Sequence, residues 1–217
     1  MKFYLLAICL FFSSMLHAQI NKGAVFIGGD LSIYGSTSNS ENPTDYTSKH
    51  NQFNFYPSIG WVVKDNMVVG GNLLLSFSND TQQPNNSTRK DNRIGAGIFI
   101  RKYLPIGKSF YLFGNAYLNA ASIYSNYTSP QPYYKKETGY AINATLIPGI
   151  SYQLNKCLFL DVALSNLLTL GYEHRNTEEE NPAGGIYKGS SNSYNLYSSL
   201  GSGVPLQVGL RWMIPRK

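Results

Sequence analysis

In eight separate stretches of the chain apolar and polar residues alternate one by one, the spacing that sends successive side chains to opposite faces of a β-strand. Residues 24–35 set Val25, Ile27, Leu31 and Ile33 against Gly28, Asp30 and Ser32, and residues 52–63 set Phe53, Phe55, Ile59 and Trp61 against Gln52, Asn54, Ser58 and Gly60. The same parity runs through residues 68–78 (Val69, Leu73, Leu75 and Phe77 opposite Gly70, Asn72 and Ser76) and 93–101 (Ile94, Ile98 and Ile100 opposite Arg93, Gly97 and Arg101). It continues through 110–124, 139–153 and 158–170. The last stretch, 194–212, ends with Leu206, Val208, Leu210 and Trp212 opposite Gln207, Gly209 and Arg211. Eight antiparallel strands fill the chain, and the fold class is all-β.

The connections alternate in length. Lys64-Asp65-Asn66, Leu104 to Ser109 and Asn155-Lys156 are tight, whereas 36–51, 79–92, 125–137 and 171–193 are long and rich in Asn, Ser, Thr, Pro and Tyr. A soluble sandwich does not require this alternation. A transmembrane barrel does, with short periplasmic turns and long extracellular loops. The aromatics agree with it. Trp61, Phe110, Tyr152 and Trp212 fall in the apolar phase beside the short turns, and Phe53, Phe77, Tyr124, Tyr140, Tyr172 and Tyr194 fall in the same phase toward the other ends. Two aromatic girdles on one continuous apolar face describe a lipid-facing surface. The opposite face, made of Gly, Ser, Asn and Gln, describes a narrow polar lumen that eight strands fill with side chains. Up-and-down closure leaves no edge in lipid.

The amino terminus changes the picture by naming a compartment. MKFYLLAICLFFSSMLHAQI carries one charge at Lys2, an apolar run from Phe3 to Phe12, and small or polar residues up to Ala18, the order of a secretory signal peptide. Cleavage after Ala18 divides the chain into a signal peptide, 1–18, and one barrel domain, 19–217. Cys9 leaves with the signal, so Cys157 has no intrachain disulfide partner. The remaining basic residues are scattered singly or as Arg89-Lys90, Lys135-Lys136 and Arg216-Lys217, which excludes a concentrated nucleic-acid surface.

Five charged residues fall in the lumen phase: Asp30, Arg93, Arg101, Asp161 and Arg211. Paired interior charges serve structure more often than transport. The expectation is that Asp30, Arg101, Asp161 and Arg211 form a buried network that plugs the barrel, with Arg93 nearer the extracellular end. Candidate chemistry is otherwise thin. His50 and His174 both fall in long loops with no serine placed beside them on one strand face, so no catalytic residue is assigned and the chain reads as a non-enzyme. Glu178-Glu179-Glu180 is a solvated carboxylate run, so neither a metal site nor a cofactor is assigned. The tyrosines of the 125–137 loop and its flank, Tyr124, Tyr127, Tyr133 and Tyr134, form the candidate extracellular binding surface for a protein or glycan ligand.

A loose repeat supports a hairpin-built architecture. YPSIGWVVKDNMVV (56–69) recurs as IPGISYQLNKCLFL (147–160), with Pro57 aligned to Pro148, and each proline predicts a bulge. Together with KGAVFIGGDLSIYGS and IFIRKYLPIGKSFYLFG, these segments make the chain resemble the small outer-membrane β-barrels of Gram-negative bacteria, the OmpX-like eight-stranded proteins. The resemblance implies an integral outer-membrane location with both termini periplasmic, contact with outer-membrane lipids and lipopolysaccharide, and insertion by the barrel-assembly machinery. The final strand is similar to that family's assembly signal at Gln207, Gly209, Trp212 and Ile214, and departs from it in the Pro215-Arg216-Lys217 tail. The expected role is structural or adhesive. A lipid A acyl hydrolase or transferase and a narrow low-conductance porin are the alternatives.

Overall fold

The computed structural model describes residues 20–40, 46–83, 85–129, 133–164, 167–181, 185–198 and 206–216. The signal segment 1–18, with Cys9 and His17, and Lys217 of the tail lie outside the described residues. Among the described residues there are ten strands: β1 (Val25–Ser40), β2 (Tyr46–Lys64), β3 (Met67–Gln83), β4 (Ser87–Pro105), β5 (Phe110–Ser129), β6 (Tyr133–Gln153), β7 (Leu158–Leu164), β8 (Leu168–Asn181), β9 (Gly185–Tyr197) and β10 (Leu206–Ile214). All pair antiparallel. β1 to β6 pair in chain order, β6 pairs with both β7 and β8, β7 pairs with β10, β10 returns to β1, and β9 pairs with β8. The ring is therefore closed at the end carrying the tight turns, here the turn end. At the opposite rim end, β9 pairs only with β8 among the described residues.

Ten strands stand where the alternation predicts eight, because 158–170 is divided into β7 and β8 and 194–212 into β9 and β10. The first division has a local cause. β6 pairs with β7 through Gly149–Gln153 and with β8 through Lys135–Leu146, and Ile147-Pro148 lies at the gap. Proline has no N–H for the ladder, and the register moves by two residues across it, from Gly149↔Ala163 to Leu146↔Leu168. At Pro57 the β2–β3 ladder skips from Phe55↔Leu75 to Ser58↔Asn72 with its register unchanged. A gap is found at both prolines, and a shift at only one.

The long loops are a second correction. Most of 36–51, 79–92, 125–137 and 171–193 is strand, with register continuing to Ser40↔Tyr46, Gln82↔Ser87, Ser129↔Tyr133 and Asn181↔Gly185. These segments hide their strands because both faces carry mostly polar residues, so the apolar-polar contrast that reveals a half-buried strand is lost.

The outward phase is apolar as the alternation predicts. Ile27, Ile59, Trp61, Leu73, Ile98, Leu118, Ile150, Leu210 and Trp212 are all exposed, and so are the aromatics Phe53, Phe77, Phe110, Tyr124, Tyr140, Tyr152 and Tyr194. The inward phase departs from expectation at the turn end. Phe26, Val62, Val68, Phe99, Tyr103, Tyr111, Phe113, Phe159 and Met213 lie in the phase assigned to a polar lumen, and they form the buried core. Residues 20–24 cross this end as a strap. Ile20 and Ala24 are buried, the Gly23 amide donates to the Val62 carbonyl at 2.8 Å, and the Asn66 amide donates to the Ile20 carbonyl at 2.9 Å. Asn66 takes the left-handed conformation, φ 60°, that its tight turn requires.

Candidate functional site

The lumen is built in four levels. At the turn end the floor is a stack of rings: Phe26 lies 5.5 Å from Phe99, Tyr103 lies 5.9 Å from Tyr111, and Tyr111 lies 5.7 Å from Phe159. A sign of this floor was present in the sequence. Beside the turns, the alternation collapses into continuous apolar runs such as Val62-Val63, Met67-Val68-Val69, Phe110 to Phe113 and Leu158-Phe159-Leu160, which mark strands apolar on both faces.

Above the floor sit Arg101, Asp161 and Arg211, each about 1% exposed, together with Asp30. Arg101 Nη1 donates to Asp161 Oδ2 at 2.5 Å and to the Tyr103 hydroxyl at 2.9 Å, while its Nε donates to Asn115 Oδ1 at 2.7 Å. Ser151 Oγ donates to the second Asp161 oxygen at 2.6 Å. Arg211 pairs with Asp30 through Nη2 and donates from Nη1 to the Gly29 carbonyl. Its Nε lies 3.2 Å from Asp161 Oδ2 but makes no hydrogen bond. Two cations and two carboxylates balance, and the guanidinium of Arg101 lies 4.1 Å over the Phe113 ring. Gly28 and Gly209 admit this cluster. A Cβ at Gly209 would meet Arg211 Nη1 at 2.8 Å, and one at Gly28 would meet the Leu210 carbonyl at 2.8 Å.

Arg93 stands apart, eight positions along β4 from Arg101 and so about 26 Å of extended strand away. It pairs with Glu173 at 3.3 Å in a charged rim. There Glu137 receives Lys135 at 2.8 Å and Arg175 at 2.7 Å, and Arg175 also pairs with Glu173. Partial burial disfavours the Glu137 charge, but hydrogen bonds from Lys135 and Arg175 outweigh it and hold the carboxyl below its ordinary value. The same pairing outweighs desolvation of Arg175 and holds its guanidinium above the usual value. Between cluster and rim lies an open cavity of about 660 Å³, lined among others by Asn54, Tyr56, Asn72, Tyr117, Asn119 and Asn143.

The remaining sequence-predicted residues are dispersed. Tyr124 faces outward with Lys136 Nζ 5.7 Å over its ring, whereas Tyr127 lines an inward cavity with Arg89, Lys135 and Glu137. Tyr134 is exposed, and the Tyr133 side chain lies outside the described residues. Tyr124 and Tyr127 therefore lie on opposite faces of β5. Gln207 lines the lumen, Gly209 adjoins Arg211, and Trp212 and Ile214 face outward on β10. His174 faces outward beside Tyr140 and Asn192. Among the described residues no group of three or more His, Cys, Asp or Glu is placed to hold a metal ion.

His50 gains its neighbours from two other strands. Its Nδ1 is paired with Asp80 on β3, and Ser36 lies directly opposite it on β1, in register. Register across three strands brings Ser36, His50 and Asp80 into one row, a juxtaposition that spacing along the chain could not reveal. Ser36 makes no hydrogen bond to His50 among the described residues.

No family model matches the chain, and no curated protein sequence matches it. Among solved structures, a major outer membrane protein from Thermus thermophilus superposes with a TM-score of 0.50 over 91% of this chain and 100% of that one, at 10% identity. The outer membrane protein OprG from Pseudomonas aeruginosa superposes with a TM-score of 0.46 over 90% of this chain and 98% of that one, at 12% identity. The likeness to the Thermus protein is one of fold: this chain is an antiparallel up-and-down β-barrel of the kind found in outer membrane proteins.

Proposed function

We propose that the chain is an integral outer-membrane protein of the OmpX-like type, an eight-staved, non-conducting barrel whose role is structural or ligand-binding at the cell surface. The staves are β1 to β6 with two interrupted ones, β7 continued by β8 and β9 continued by β10. The turn end and both termini face the periplasm after removal of residues 1–18, and the extended rim faces outward. The observation that carries this reading is the combination of a continuous outward apolar belt with a lumen sealed at one end by the Arg101–Asp161–Arg211–Asp30 cluster over an aromatic floor. Lipids and lipopolysaccharide are then the solvent of the belt, and the barrel-assembly machinery acts on β10. Membrane extracts should place the protein in the outer-membrane fraction with heat-modifiable migration on detergent gels. Recovery in the soluble fraction would sink the proposal.

A lipid-acyl hydrolase remains as a second reading because of one observation, the Ser36–His50–Asp80 row. Asp80 on Nδ1 holds the tautomer that leaves Nε2 free to accept a serine proton. A fluorophosphonate probe should label Ser36 in the wild type and not in Ser36→Ala if the row is catalytic. Equal labelling of the two, or none, removes the enzyme reading.

A further inference from the structure

One register row crosses six strands of the lumen wall: Asn72 opposite Gly97, Gly97 opposite Asn119, Asn119 opposite Asn143, Asn143 opposite Gly171, and Gly171 opposite Asn195. All six share the inward phase, and the glycines are where the amides lean. A Cβ at Gly97 would meet the Asn119 Cγ at 2.8 Å, and one at Gly171 would meet Asn143 Oδ1 and the Asn195 Cγ. Four carboxamides thus lie along one band with no intervening side chain to separate them.

The band is under-satisfied. Within it the structure records one hydrogen bond among the described residues, Asn72 Nδ2 donating to Asn119 Oδ1 at 2.9 Å. Asn72 is 6% exposed, yet its Oδ1 accepts nothing. A buried amide acceptor without a partner is costly in a native structure and asks for an explanation. Asn72, Asn119 and Asn143 of the band line the cavity of about 660 Å³, a volume within the range of small-molecule sites. Tyr56, Tyr117 and Tyr197 also line it, and its charged residues sit at its two extremes, Asp30 at the base and Arg89, Asp91, Arg93 and Arg175 toward the rim.

We infer that this cup binds a neutral saccharide. Carboxamides offer a donor and an acceptor side by side, the pattern that adjacent hydroxyls of a sugar ring require, since each hydroxyl both donates and accepts. Tyrosine rings supply apolar faces for the C–H surface of the ring and a phenol for its hydroxyls. A charged ligand would find no counter-ion along the amide band, and burial without one is penalised. A long apolar ligand would leave the amides unpaired. The sealed floor makes the cup a terminus, so a bound ligand is held and not passed through. This inference rests on the outer-membrane barrel reading and names a ligand class for it.

The full-length mature protein, labelled with ¹⁵N-asparagine and refolded in detergent, tests the inference by titration with maltose and trehalose. Glucose 6-phosphate and glucosamine serve as charged comparators. A neutral disaccharide should produce saturable shifts in asparagine side-chain amide signals, and Asn119→Ala with Asn143→Ala should weaken binding about tenfold or more. Heat-modifiable migration of each variant shows that the barrel has formed. If the variant fails to fold, Asn143→Leu alone, at a half-buried position, takes its place. Silence of both disaccharides with a folded wild type overturns the cup while leaving the barrel reading intact. Preferential shifts with a charged sugar overturn the neutral class.

Discussion

Arg211 shows what parity along a strand can and cannot reveal about one residue. Alternation assigns it to the interior, and so does the structure, but its company depends on glycines on two strands. Gly28 and Gly209 leave the space through which its guanidinium reaches Asp30 and the Gly29 carbonyl. The same residue Gly209 that resembles part of an assembly signal therefore also has a packing role. Asp161 is the hinge of the cluster, receiving Arg101 and Ser151 and lying beside Arg211. Removing one partner of a buried ion pair leaves an uncompensated charge, a loss of about 3–5 kcal/mol. Asp161→Ala should therefore lower stability by about that amount in urea unfolding from lipid vesicles. Arg93→Ala should cost about 1 kcal/mol or less, because the Arg93 side chain is 38% exposed in its pair with Glu173 and water screens it. Equal midpoints for the two variants would remove the distinction between cluster and rim. Strand position in the sequence already sets Arg93 toward the opposite strand end, although all five charges fall in the interior phase. Distance along β4 and cross-strand register separate Arg93 from the rest.

At the scale of strands, the portions carrying the apolar belt were legible because an apolar outward face and a lumen on the other side write a two-residue contrast into the chain. Where both faces are polar the contrast vanishes, and the rim hairpins of β5 with β6 and β8 with β9 read as loops. Pairing register such as Asn126↔Lys136 and Glu178↔Lys188 carries them, supported by ion pairs, with Lys188 Nζ 2.8 Å from Glu178. Glu137 links three strands, pairing with Lys135 on its own strand, with Arg175 on β8, and with Arg89 on β4 at 4.0 Å. Its carboxyl is held below the ordinary 4.5 by Lys135 and Arg175 despite partial burial. The stabilisation is therefore fully present above that ordinary value and is lost as pH falls through the depressed folded one. Backbone amide signals of the β5–β6 rim should broaden as the wild type is acidified below about 4.5, while Glu137→Gln should already show the loosened hairpin at neutral pH and little further change. Identical acid profiles for both proteins would show that Glu137 does not hold the rim.

For the whole molecule the question is how firmly the barrel is shut, and the answer depends on the number of successive layers. The sequence pointed to a charged plug alone. The structure adds the rings of Phe26, Tyr103, Phe113 and Phe159 beneath it and the strap of residues 20–24 across the turn end. These aromatics escaped detection because they sit in the phase that elsewhere holds glycine and asparagine, and only the loss of alternation beside each turn betrays them. A layered seal makes a different prediction from a single plug. Arg211→Ala removes one guanidinium from the cluster but leaves Arg101 paired with Asp161 and the ring stack in place. Planar bilayers containing this variant should therefore stay as silent as wild type. Conductance should appear only when the layers are opened together, as in Arg211→Ala combined with Phe26→Ala and Tyr103→Ala, in protein shown to be folded by its heat-modifiable migration. A step conductance from Arg211→Ala alone would mean that the charge cluster is the whole barrier and that the aromatic floor beneath it already passes ions. A silent, folded triple variant would place the barrier in the strap, where Ile20 and Asn66 join residues 20–24 to the first tight turn.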